Sequence, residues 1–372
     1  MMTVETTTMY PNRFDIVGSF LRPAKLKQAR AEFQANKISR QALTEVENAE
    51  INRLVKKEVE VGLTDVTSGE FRRSWWHLDF FDGLNGARFF TPEHGFIFNG
   101  QETRKGGIKI TNKLTYNPNH PFFDDFNYLK KIVPEGITPK QTIPSPSVFF
   151  PNKEAEVYDN YYHNDLDAFL EDEIKAYQET VQHFYDLGCR YLQLDDTSWG
   201  MWASFSKNTI KPELKPLCEA AVKAINAIAD NKPNDLTLTM HVCRGNYDSN
   251  WAGAGAYDPV ADYLAQLHID GYFLEYDDER SGGFEPLKKI ADNGRHQRIV
   301  LGLVTTKRPE LEDPALLQKR IQLASQYVPL ADLCLSPQCG FASTEEGNHL
   351  TEADQWNKLK LVIDTAKEVW SD

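Results

Sequence analysis

The sequence predicts an α/β fold, a (β/α)8 TIM barrel with an insertion between strands 2 and 3. Three observations predict it. Eight short apolar or β-branched runs, each bounded by turn residues, are separated in most cases by segments of helical periodicity. Strand–helix alternation implies parallel pairing through right-handed crossovers. The chain has 372 residues, which suits one barrel of roughly 250 residues with decorations.

The expected strands are Phe14–Val17, Leu63–Val66, Lys140–Ile143, Tyr191–Leu194, Leu236–His241, Tyr272–Leu274, Ile299–Val304 and Leu333–Leu335. Helices are expected at Lys25–Gln34, Arg40–Glu60, Leu166–Leu187, Pro212–Ala229, Pro259–Leu267, Phe284–Ala291, Pro314–Tyr327 and Glu352–Val369. Several of these open with Pro or an acidic first turn, as helix starts do. The connection from strand 2 to strand 3 is too long for one helix. Residues 80–130, rich in Phe, Gly and Asn with a hairpin-like pattern around Gly106–Tyr116, read as the insertion. No repeat, low-complexity tract or Pro/Gly/Ser linker divides the chain, so residues 1–372 are expected to form a single decorated domain.

Composition narrows the function. With 41% hydrophobic and 26% charged residues the chain is globular and not disordered. No apolar run approaches the roughly 20 residues of a membrane span, and no secretory signal opens the sequence, so a cytoplasmic location is expected. The 41 Lys and Arg stand against 54 Asp and Glu, a net charge of −13, which disfavours nucleic acid as a partner. Five cysteines, an odd number in such a chain, point to metal binding or catalysis before disulfides.

A barrel does its chemistry at the C-terminal ends of its strands, and the unusual residues fall there. Gly18-Ser19 follows strand 1, Gly69-Glu70 strand 2 and Asp195-Asp196 strand 4. His241-Val242-Cys243 ends strand 5, Glu275 follows strand 6 and Cys339-Gly340 closes strand 8. On an extended segment the i, i+2 spacing puts His241 and Cys243 on one face, within reach of one ion. Glu275 and Cys339 are the candidates to complete a tetrahedral zinc site. Taken singly, each residue also has a plain structural reading as a small buried thiol or a solvated cap. Two thiolates and a carboxylate leave Zn²⁺ near a formal charge of −1. Such a zinc is a poor activator of water, and it suits binding of a substrate thiol as nucleophilic thiolate.

Glu70, Asp195 and Asp196 suit an ammonium group or proton transfer, although Asp195-Asp196-Thr197-Ser198 is equally a helix N-cap sequence. Ser19 and the amides around Gly18 suit a carboxylate or cap the following helix. Trp75, Trp76, Trp199 and Trp202 are candidates to stack a planar ring or to pack the core.

At these residues the sequence resembles the cobalamin-independent methionine synthases, in their catalytic C-terminal half. Val17-Gly18-Ser19 is similar to the family's Ile-Gly-Ser, Gly69-Glu70 to its Gly-Glu, Asp195-Asp196 to its Asp-Glu and His241-Val242-Cys243 to its His-x-Cys. Glu275 with Glu279-Arg280-Ser281 resembles the Glu ligand and its Ser-Arg-Ser, and Ser336-Pro337-Gln338-Cys339-Gly340 resembles Asn-Pro-Asp-Cys-Gly. The resemblance implies zinc on His241, Cys243, Glu275 and Cys339, with homocysteine on Gly18, Ser19, Glu70 and Asp195. Asp196 and Lys307 are the expected catalytic residues.

Three departures stand out. Asp196 is one methylene shorter than the family's Glu. Thr306-Lys307-Arg308 stands where the family has a His suspected of proton donation. The family's full-length enzymes carry a preceding second barrel, for which this sequence has no counterpart. Folate is the family's methyl donor, and its polyglutamate tail wants a basic rim, which Arg72-Arg73 and Arg104-Lys105 could supply. Transfer from the tertiary amine of methylfolate requires protonation, and a lysine is a weak acid at neutral pH. Slow transfer from methylfolate relative to a sulfonium or methylated corrinoid is therefore expected, and the donor stays open. The favoured function is thus zinc-dependent methyl transfer to homocysteine or a similar amino-acid thiol. The alternatives are a zinc-independent barrel hydrolase or lyase using Glu70, Asp195 and Asp196, and a binding protein with a degenerate site.

Overall fold

The computed structural model describes residues 11–151, 157–163 and 165–371. Seven parallel strands, in chain order, curl into one sheet: Asp65–Val66, Thr138–Pro144, Tyr191–Asp196, Thr237–Val242, Gly271–Glu275, Arg298–Val304 and Leu333–Pro337. The expected first strand, Phe14–Val17, is reduced to one parallel bridge from Phe14 to Leu335. Around it the Asp15 amide donates to the Leu335 carbonyl at 3.1 Å and the Leu335 amide to the Arg13 carbonyl at 2.9 Å. On the other side the chain meets its neighbour through a side chain, as Thr67 Oγ1 donates to the Gly18 carbonyl at 2.6 Å. The barrel therefore closes through this extended segment without a full ladder.

The apolar faces of the outer helices bury against the sheet, among them Leu166–Asp186, with Phe169, Tyr177 and Phe184 inward, and Lys215–Asn231, with Ala221, Ile225 and Ile228 inward. A small cluster of Val17, Phe273, Val300 and Cys334 is separate from the two larger apolar clusters. Polar caps start the longer helices where the sequence places Ser, Asp or Thr. Ser39 accepts from Ala42, Asp165 from Ala168 and Asp313 from Ala315, and Thr351 forms a capping box with Asp354.

Several segments differ from the sequence reading. The interval 80–130 is not all insertion, because Pro121–Ile132 is a helix with Pro in its first turn and Phe122, Phe123, Phe126 and Leu129 buried. The hairpin is wider than expected: Gly107–Thr115 is only one of its strands and pairs antiparallel with Asn85–Phe90. The expected helix Pro259–Leu267 shrinks to Ala261–Leu264, since Gln266 and Leu267 bond back only three residues to Tyr263 and Leu264. Pro212–Leu214 is a 3-10 turn ahead of the helix Lys215–Asn231. A helix at Ser198–Phe205 directly follows Asp196. No helix among the described residues is long and apolar enough to cross a membrane.

Candidate metal centre and amino-acid site

Three strand ends deliver four donor residues to one buried point. His241 lies in Thr237–Val242 and Cys243 just beyond it, Glu275 ends Gly271–Glu275, and Cys339 follows Leu333–Pro337. One ligand atom from each lies within 4.8 Å of all the others, and all four residues are buried. The two sulfurs are 3.8 Å apart, and neither cysteine is in a disulfide. Tetrahedral geometry at a Zn–S length of about 2.3 Å requires sulfurs about 3.8 Å apart, so the thiol pair already has the spacing zinc needs. His241 Nε2 and Glu275 Oε1 stand 3.9 Å apart.

Several polar atoms here lack protein partners. Both ring nitrogens of His241 and Oε2 of Glu275 are buried without a hydrogen bond. Orphans of this kind are rare and costly in folded proteins. Titration behaviour agrees with a site assembled for a cation. Burial pushes Glu275 up to about 7. At His241 burial favours the neutral ring, but the Cys339 sulfur, then Asp195 and Glu275, outweigh it and raise the imidazole to about 9. The hydrogen bond between the thiols holds Cys339 well below the ordinary thiol range and pushes Cys243 up. Protons thus hold together a set of donors that a divalent ion would take in their place. The donor set and its spacing fit zinc.

Around this point the other sequence-selected residues form a second set. Glu70 is buried at φ 59, in the left-handed region that side chains avoid. Its Oε1 accepts from Thr142 Oγ1 at 2.8 Å and faces Arg73 at 3.2 Å, while Oε2 has no hydrogen-bond partner. Asp195 Oδ1 accepts from Gln193 Nε2 at 2.7 Å, and burial raises its carboxyl to about 7. Ser19 Oγ accepts from the Ala342 amide at 3.3 Å. Gly18, at φ 145, has no space for a side chain, since a Cβ would come within 2.7 Å of Thr142 Cγ2.

Two residues are tied down elsewhere. Asp196 is fully buried, with one carboxylate oxygen accepting from Ser147 Oγ and the other from the Trp199 amide at 3.1 Å. The capping geometry is thus present. Lys307 Nζ pairs with Asp277 Oδ2 at 2.9 Å. The arginines of the expected rim are paired, Arg72 with Glu47 and Asp125, Arg73 with Glu70, and Arg104 with Glu345 and Glu346, while Lys105 is exposed. Trp75, Trp199 and Trp202 are buried, and half-buried Trp76 is stacked on His77 at 4.4 Å.

Sequence reasoning missed the supports of this site: Arg73 and Thr142 on Glu70, Gln193 on Asp195, and Asp277 on Lys307. Only Gln193 carried a local signal, two residues before Asp195 on the same strand face.

A barrel with a buried Cys/His/Glu cluster beside buried carboxylates suits thiol chemistry, and comparison with known proteins narrows the class. Residues 14–368 match the family model described as the cobalamin-independent synthase catalytic domain. The chain belongs to that family, and with it to the methyltransferases. It is 47% identical over 368 residues to the uncharacterized protein YxjG of Bacillus subtilis (strain 168), covering 97% of this chain and 95% of that one. It is 23% identical over 336 residues to a methionine synthase of Saccharolobus solfataricus, covering 87% and 86%. Among solved structures, a Listeria monocytogenes protein provisionally assigned as a vitamin B12-independent methionine synthase is 39% identical, with TM-score 0.78 over 98% of this chain and 99% of that one. A B12-independent methionine synthase from Shewanella sp. W3-18-1, solved with selenomethionine, shares the fold at TM-score 0.72 and 15% identity, covering 96% and 98%. Family membership decides against the hydrolase and lyase reading.

Proposed function

We propose that this protein transfers a methyl group to the thiol of homocysteine, or a close amino-acid relative, at a zinc centre formed by His241, Cys243, Glu275 and Cys339. The observation that carries the reading is the buried donor set from three strand ends, with both imidazole nitrogens and one carboxylate oxygen left unpartnered. Zinc on these donors would be electron-rich, suited to stabilising a thiolate and not to activating water.

The chain's own residues would orient the amino acid. Ser19, with the backbone beside Gly18, takes the carboxylate. Glu70 and Asp195 take the ammonium, and both are already fixed by their supports. Asp196 holds the wall through Ser147 and the start of Ser198–Phe205. The selenomethionine held by the Shewanella relative supports an amino-acid ligand in such a mouth. With its arginines paired, the rim offers a polyanionic donor tail little beyond Lys105, and Lys307 Nζ is held by Asp277 at 2.9 Å.

The test is methionine formation by zinc-loaded protein from homocysteine, comparing folates of different tail length with sulfonium and methyl-corrinoid donors. Turnover of methylfolate at about 1 per second or faster, unchanged in Lys307→Ala, would overturn the donor expectation. Absence of methionine with every donor would overturn the function.

A further inference from the structure

The loops that carry Ser19, Glu70 and Cys339 come from three strands distant in sequence, and one side chain ties them together. Arg22 is buried, and its guanidinium donates to four backbone carbonyls. Nη1 reaches Ala342 at 2.6 Å and Phe20 at 3.2 Å, and Nη2 reaches Glu70 at 2.8 Å and Arg73 at 3.2 Å. Phe20 follows Ser19, Glu70 is itself a site residue, and Ala342 lies three residues beyond Cys339. These loops also touch directly, through the Phe20 amide on Gly69, the Phe341 amide on Ser19 and the Ala342 amide on Ser19 Oγ.

No carboxylate pairs with this guanidinium among the described residues, and its Nε has no partner. A bare buried cation is expensive, and burial lowers Arg22 to about 10. Apolar packing would stabilise the fold at lower cost, so stability alone does not account for an arginine here. The fork geometry does: only a guanidinium offers divergent, coplanar donors to several carbonyls at once, whereas a lysine is a point charge. One of those carbonyls belongs to Glu70, whose backbone is in the disfavoured left-handed region and needs external bonds to stay there.

We infer that Arg22 is the positioning residue of the amino-acid site, fixing the spacing between Ser19, Glu70 and the Cys339 loop. The inference rests on the proposed amino-acid site.

The test measures homocysteine and methionine binding by calorimetry in zinc-loaded wild type, Arg22→Lys and Arg22→Gly, with zinc content and thermal midpoint recorded for each. Wild type that binds neither amino acid overturns the proposed function itself. Given wild-type binding, Arg22→Lys is expected to keep its zinc and lose about tenfold or more in affinity for both amino acids, the scale on which ångström misplacement acts. Millimolar guanidinium is expected to restore part of the affinity of Arg22→Gly and not that of Arg22→Lys, whose ammonium fills the space. Arg22→Lys binding within twofold of wild type overturns the inference. So does lost affinity in Arg22→Gly that guanidinium leaves unrestored, or failure of both variants to fold, because either result makes Arg22 a general structural prop.

Discussion

Two polar clusters are buried along the barrel strands, one toward each end, and they solve the problem of buried charge differently. Toward the strand starts, Lys140 donates to Asp15 Oδ1 at 3.0 Å and to the Ile16 carbonyl at 2.5 Å. Tyr191 donates to Asp15 Oδ2 at 2.6 Å. The ammonium also lies over the rings of Tyr191 and Phe273, at 4.6 and 4.2 Å. The Lys140 ammonium and the Asp15 carboxylate are bonded to one another, and beside them burial and Asp15 push the carboxyl of buried Asp65 well above the usual range. Toward the strand ends, His241, Cys243, Glu275 and Cys339 are just as buried, yet the imidazole and one carboxylate oxygen have no hydrogen bond. The Lys140–Asp15–Tyr191 bonds of the lower cluster are made within the chain, while the imidazole and one carboxylate oxygen of the upper one are left open. Burial and polarity are common to both, and satisfaction separates structure from function.

The largest effect should come from the upper cluster. Wild type is expected to carry about one zinc per chain, and a Cys243→Ser and Cys339→Ser double variant to lose it together with methyl transfer. Elemental analysis beside a transfer assay decides the point. Zinc retained by the double variant would break the comparison, since the site would then not depend on its thiols.

The lower cluster predicts a large effect of another kind. Lys140→Met leaves Asp15 buried without its cation, which typically costs about 3–5 kcal/mol. Denaturant unfolding should show that loss while zinc stoichiometry stays at the wild-type value. A variant of normal stability would mean the lower cluster is not self-completing.

How far each cluster could be read from sequence follows from geometry. His241 and Cys243 were legible because period-2 spacing fixes their relation locally, and Glu275 and Cys339 because barrel topology sends every strand end to one mouth. The lower cluster was not legible, because Asp15, Lys140 and Tyr191 meet only through pairings across the barrel, among them Lys140 opposite Tyr191. Arg22 was hidden for the same reason, since its partners are backbone carbonyls that leave no trace in residue type. The helix Pro121–Ile132 is legible in its Phe122, Phe126 and Leu129 spacing, although it overlaps the expected insertion 80–130. The expected strand Phe14–Val17 forms no ladder, only the Phe14 bridge to Leu335, and the chain turns away where the Gly18 carbonyl accepts from Thr67.

Smaller effects sharpen the boundary between the metal centre and its surroundings. Glu70→Gln and Asp195→Asn should each weaken homocysteine binding by about 1.5–3 kcal/mol, the worth of a charge-assisted hydrogen bond, with zinc retained. Calorimetry on zinc-loaded protein reads both. Unchanged affinity in the two variants would return these carboxylates to the structural category and shrink the upper site to its metal.

The smallest effect tests whether an unpartnered buried atom always marks a ligand site. Glu173, on the helix Leu166–Asp186, is buried with both carboxylate oxygens unbonded, yet no further donor set surrounds it among the described residues. Burial pushes its carboxyl well above the usual range, so it meets the cost of burial by keeping a proton. The linkage has a definite sign. A carboxyl whose pKa is raised in the folded state binds more protons folded than unfolded, so stability falls as pH rises above the ordinary carboxylate range of about 4. Glu173→Gln removes that dependence. The variant should match wild type at about pH 4 or below and be the more stable protein at pH 8, with the gap widening between those values. Denaturant midpoints at a series of pH values measure it. A gap that is constant with pH would mean that Glu173 is ionised when folded and has a cationic partner in solution, and the rule separating the two clusters would then need a third case.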